Sequence, residues 1–150
     1  MLNVDQLLDH AADHARTVLV GKPKAELIPT WILQGKDEIT FVGTPWGDDV
    51  EKELTVIAIR AMLEVRQAQS YSFMSEAWKA HESIDHPIGL MPRDRVDRIE
   101  VVIVNAFDRQ GGKMRCYEIR RGPDGVVTEL VLDPQGDMDR FEGRLYNLFQ

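Results

Sequence analysis

Glu76, His81 and His86 are the residues whose types and spacing come closest to a reactive group. Glu76 lies in the run YSFMSEAW, between Met74 and Trp78, and alternation along a strand puts all three on one face. A carboxylate held among apolar neighbours is desolvated, which raises its pKa toward a range useful for acid or base work. His81 and His86 follow within ten residues of it and would stand at the strand end as its partners, giving a candidate catalytic set of Glu76, His81 and His86. The same pattern also fits an exposed or interfacial face on which Glu76 pairs with an arginine or lysine.

His10 and His14 are four residues apart in a helical run, so their rings share a face in the way two metal ligands would. With Asp13 beside them, and with His81, Asp85 and His86 brought close, they would complete a zinc or transition-metal site. No HExxH is present and the single cysteine, Cys116, lies elsewhere, so surface histidines are the plainer reading. No organic cofactor is implied. Gly21-Lys22 and Gly35-Lys36 lack the surrounding phosphate-loop pattern, and there is no nucleophile elbow. Trp46, with Trp31, could form an aromatic patch for a ligand, although rings beside turns more often plug a core.

These side chains need elements to position them. Asn3 and Gln6 have capping-box spacing, and Val4, Leu7, Leu8, Ala11, Ala15, Val18 and Leu19 then recur at helical intervals until Gly21 and Pro23. AELIPTWILQ and EITFVGTPW flank Gly35-Lys36-Asp37 and read as a hairpin, with Pro29 placing the first strand near an edge or a bulge. Asp48 and Glu51 open a second helix, running from Asp49 to about Gln69. It carries two apolar stripes: Leu54, Ile57, Ala58, Ala61, Met62 and Val65 on one side, and Val56, Ile59 and Leu63 on roughly the opposite side. Two stripes need two partners, namely the sheet and either the first helix or another copy of the chain. On this reading Ile59→Glu would dissociate a dimer.

Residues 97 to 133 read as a three-stranded meander with turns at Gly111-Gly112 and at Gly122-Pro123-Asp124-Gly125. Val101 to Val104 are apolar on both alternating faces, as in a strand covered on both sides. The connection from about Glu82 to Asp97 is too long for a hairpin loop, and its Ile88, Leu90 and Met91 fit a lid over the sheet or a surface for a protein partner. Phe141, Leu145, Leu148 and Phe149 suggest a short terminal helix.

At 150 residues the chain fits a single domain, 1–150, large enough to bury a core without disulfides. A net charge of −7 argues against a broad basic surface for nucleic acid, and the clustered arginines of the second half are interleaved with carboxylates. One cysteine and no apolar run of membrane-spanning length point to a soluble protein of a reducing compartment, the cytoplasm by default.

The expected fold is therefore α+β: a central antiparallel sheet of about five to six strands flanked by helices, in the order α-β-β-α-β-β-β-β-(α). That order resembles the roadblock and profilin-like folds, with a fourth late strand as a departure. The roadblock resemblance implies a dimer formed through the second helix and the strand after it. The expected function is a small, non-catalytic interaction or accessory domain that self-associates. The alternative is a small enzyme or ligand-binding domain with a Glu/His site, metal-dependent or not, near Glu76, His81 and His86.

Overall fold

In a computed structural model, described over residues 1–79, 99–133 and 148–149, the elements run α1 (Val4–Leu19), β1 (Thr30–Gln34), β2 (Ile39–Gly43), α2 (Asp49–Val65), β3 (Ser70–Lys79), β4 (Ile99–Asp108), β5 (Gly111–Arg121) and β6 (Val127–Leu132). The fold is α+β, and all six strands join one antiparallel sheet in the order β2-β1-β3-β4-β5-β6. The long connection of residues 82 to 97, with His81 and His86, and most of the expected terminal helix lie outside the described residues. No helix among the described residues is long and apolar enough to cross a membrane.

Local chemistry explains the boundaries. Asn3 accepts the Gln6 N–H at 2.8 Å and the Gln6 side chain accepts the Asn3 N–H at 2.9 Å, a complete capping box for α1. At the other end Gly21 takes φ +76° and donates to the Val127 carbonyl. Asp48 caps α2 through the Glu51 N–H, while the Glu51 carboxylate reaches one residue further back, to the Gly47 N–H. This helix ends at Val65, four residues short of the sequence expectation, because Gln67 enters the left-handed region at φ 51°. The Ala68 N–H then bonds to the Leu63 carbonyl and the Gln67 N–H to that of Glu64, the Schellman pattern without its usual glycine. Just after the β4–β5 turn no side chain fits at Gly112, where a Cβ would lie 2.4 Å from the Ala106 carbonyl oxygen.

Pro29 does not make β1 an edge strand. The strand begins one residue later and lies between β2 and β3 with all five residues buried. Pro29 needs no ladder partner because it stands outside the ladder, where its carbonyl instead accepts the Thr44 N–H at 2.8 Å. Interior position also explains Gln34. Its side-chain amide takes the Leu2 N–H, donates to the Leu2 carbonyl and to Ser70 Oγ, and so satisfies a polar group that is almost wholly buried.

The sheet separates two layers. On one face α1 buries Leu7, Leu8, Ala11, Ala12, Ala15 and Leu19 against Ile32, Met74, Val102, Val104, Ala106 and Tyr117. Each buried leucine contributes about 1.5–3 kcal/mol, and α1 is pinned at its rim by Asp5 to Lys113 (2.9 Å) and Asp9 to Arg115 (2.7 Å). On the other face α2 sends Ile59 and Leu63 onto an aromatic surface of Trp31, Tyr71, Phe73 and Phe107. Met74 joins the first cluster and Phe73 the second, as strand alternation requires. The two helices therefore lie on opposite sides of the sheet.

Candidate functional site

Glu76 falls where the α1 layer ends. The β3–β4 register sets it opposite Val102 and sets Trp78 opposite Glu100, while Ile119 and Arg121 come from β5, the next strand out. Glu76, Ala77, Trp78, Glu100, Ile119 and Arg121 line an open depression of about 320 Å³. The Leu27 N–H, from the segment between α1 and β1, donates to Glu76 Oε1 at 3.1 Å. Arg121 closes the far side: its guanidinium grips Glu100 at 2.9 and 3.0 Å and donates to the Gly125 carbonyl at 2.8 Å.

These surroundings push the Glu76 pKa up from 4.5. Desolvation by the neighbouring apolar surface is the largest cause, with Glu100 and Glu26 adding repulsion, against the lowering effects of the Leu27 N–H and the Arg121 charge. The side chain nonetheless keeps an exposed face. It can hold or release a proton at the mouth of the depression, beside an indole that is itself partly exposed. Leu27, Glu100, Ile119 and Arg121 escaped the sequence reading because they are separated from Glu76 by 24 to 49 residues and converge only through strand register. Arg121 to Glu100 is an ordinary opposite-charge signal, but its relevance emerges only once those strands are neighbours.

A carboxyl whose pKa rises on folding contributes most to stability below its unfolded value, about 4.5 here, and that contribution is lost as pH climbs through the raised value. Glu76→Gln keeps an oxygen for the Leu27 N–H and removes the charge. Urea midpoints for parent and variant should therefore coincide near pH 4 and separate by pH 7, with the variant the more stable. A constant difference across that range would remove desolvation of Glu76 as the cause.

The histidines of α1 are placed differently. His10 is exposed, and the His14 ring lies 5.3 Å from that of Phe41 on β2. Among the described residues no three His, Cys, Asp or Glu side chains gather as a metal would require. Trp31 and Trp46 belong to the α2-side core, Trp31 within ring contact of Tyr71 and Phe73 and Trp46 stacked on Phe73. They form core packing there, not an open aromatic patch.

The other candidate surface is the outward side of α2. Val56, Ile59, Met62 and Leu63 turn toward the sheet, so the other stripe faces out, with Val50, Leu54, Ile57 and Val65 between 61 and 82% exposed and Ala58 and Ala61 exposed beside them. At 100° per residue these six fall within an arc of roughly 100°. Their 50-54-57-61 spacing of four, three and four is that of a heptad seam. The assignment also removes Ile59 as a probe of association: at 1% exposure it is core.

No protein-family model, no curated protein and no solved structure matches the chain. The likeness to roadblock and profilin-like folds stands on element order alone.

Proposed function

We propose that this protein is a non-catalytic association module that pairs with a second copy of itself through the outward face of α2. The observation that carries this reading is the exposed apolar seam of Val50, Leu54, Ile57, Ala61 and Val65, diametrically opposite the stripe that the sheet covers. Solvent-exposed faces of single-layer surface helices are normally polar, and contiguous apolar patches on soluble proteins commonly mark interaction sites. α1 cannot cover this seam, because it lies across the sheet.

The size of the face sets the expected strength. A helix of 17 residues is about 25 Å long, and a seam roughly 15 Å wide gives about 400 Å² per partner, half of a standard interface. A face of that size suits a reversible dimer, populated at micromolar concentrations. Light scattering coupled to size exclusion, run across low to high micromolar concentrations, should show a concentration-dependent dimer. Ile57→Glu should convert it to a monomer whose melting temperature equals the parent's at concentrations too low to populate the dimer, since that side chain is already in water in the monomer. A parent that stays monomeric throughout, or an Ile57→Glu variant that still dimerises, would defeat the reading.

A second reading rests on the Glu76 depression. Its raised pKa and exposed indole favour a small ligand that presents a hydrogen-bond acceptor or a cationic group to Glu76. His81 and His86 would be candidate acid–base partners, which would make the protein a small enzyme or binding domain. Turnover or ligand affinity that is indifferent to Glu76→Gln would remove that carboxylate from the site.

A further inference from the structure

From the charges that border the α2 seam we infer that two copies pack with their α2 helices antiparallel, held in register by Glu53 of each copy against Arg60 of the other. The inference rests on the self-association proposed above and adds its orientation. Glu53 and Arg60 lie on the same flank of the seam, at about 300° and 280° on a helical wheel that starts from Val50. In an antiparallel pair, positions on this flank meet their own counterparts across a two-fold axis. Layers that set Leu54 against Ile57 and Val50 against Ala61 then bring Glu53 within reach of Arg60, and symmetry makes the contact twice.

A parallel pair lacks this complementarity. There the same flank meets the opposite flank of the partner helix, so that Glu53 faces Ala58 and Arg60 faces Val65. Opposed helix dipoles favour the antiparallel arrangement as well. One contact opposes it: Glu64 approaches Asp49 at each end of the seam, where both are exposed and water screens the repulsion.

Arg60 makes no ion pair among the described residues, so its charge is available to a partner. Glu53 is already engaged within its own chain. Its reversal is therefore read through rescue and not alone.

Sedimentation equilibrium on the full chain tests the orientation. Arg60→Glu places like charges opposite each other and should weaken the dimer about tenfold, and Glu53→Arg should do the same from the other side. The double variant E53R/R60E should return to within about threefold of the parent, because the two pairs re-form with their signs exchanged. A double variant no better than the weaker single one would overturn the antiparallel register. So would single reversals that leave the dimer intact while Ile57→Glu still abolishes it, and in that case self-association through α2 would survive. A dimer insensitive to Ile57→Glu would instead remove the α2 seam, and the orientation with it. Equal melting temperatures for all variants, taken at concentrations too low to populate the dimer, should accompany the expected result, since these side chains lie on the solvent side of α2.

Discussion

Trp31→Ala should lower the unfolding free energy by about 3–5 kcal/mol. The indole is fully buried at the centre of the α2-side layer, with the Phe73 ring at 4.4 Å and the Tyr71 ring at 5.9 Å. Its Nε1–H donates to Thr44 Oγ1 at 2.8 Å, so truncation also releases the segment after β2 that the hydroxyl helps to hold. Domains of this size are stable by only about 5–15 kcal/mol, and the variant should lie near the edge of folding at physiological temperature. Urea unfolding followed by circular dichroism gives the number. A loss below about 1 kcal/mol would mean that the layer collapses around the cavity far better than close packing permits.

Ile59→Glu and Ile57→Glu should behave as opposites, although the two positions are neighbours of the same type. Ile59 is 1% exposed beneath α2. A carboxylate there would stand among the apolar side chains of the aromatic layer, and leaving a charge buried and unpaired costs on the order of 3–5 kcal/mol. The expected result is a protein that expresses poorly or melts far below the parent, whatever its oligomeric state. Ile57 is 64% exposed, so its substitution should leave the melting curve alone and change only association. Thermal melts of the two variants side by side distinguish core from surface directly. A folded, monomeric Ile59→Glu protein would mean that the faces of α2 are assigned the wrong way round.

That pair also marks the limit of what periodicity reveals. Both stripes of α2 are apolar at helical spacing, and nothing in Val56, Ile59 and Leu63 makes them more inward than Leu54, Ile57 and Val65. The assignment comes from which stripe meets Trp31, Tyr71 and Phe73, and these lie on strands whose pairing the spacing does not encode. Local signals were readable where the chemistry is local. The Asn3–Gln6 box forms as written, Gly122-Pro123-Asp124-Gly125 turns between β5 and β6 while Gly111-Gly112 open β5 just after the turn instead of making it, and Val101 to Val104 occupy an interior strand as their two-sided apolar pattern requires.

Two local signals misled for identifiable reasons. Pro29 reads as part of a strand that in fact begins after it. The end of α2 was invisible because a glutamine, not a glycine, adopts the left-handed conformation there. Around Glu76 the sequence identified the strand face and the tendency toward a raised pKa. The residues that shape the depression became visible only through the ladder pairing of β3 with β4.

The two layers differ in chemistry as well as position, aliphatic under α1 and aromatic under α2. Of the three tryptophans, Trp31 and Trp46 sit in the aromatic layer and Trp78 lies on the other face of the sheet, partly in water. The protein thus carries its own optical labels. The buried Trp31 should give the blue-shifted emission, and Trp78, at the mouth of the Glu76 depression, should give a red-shifted, quencher-accessible component. Light can therefore follow events on the two faces of the sheet separately, without adding any probe.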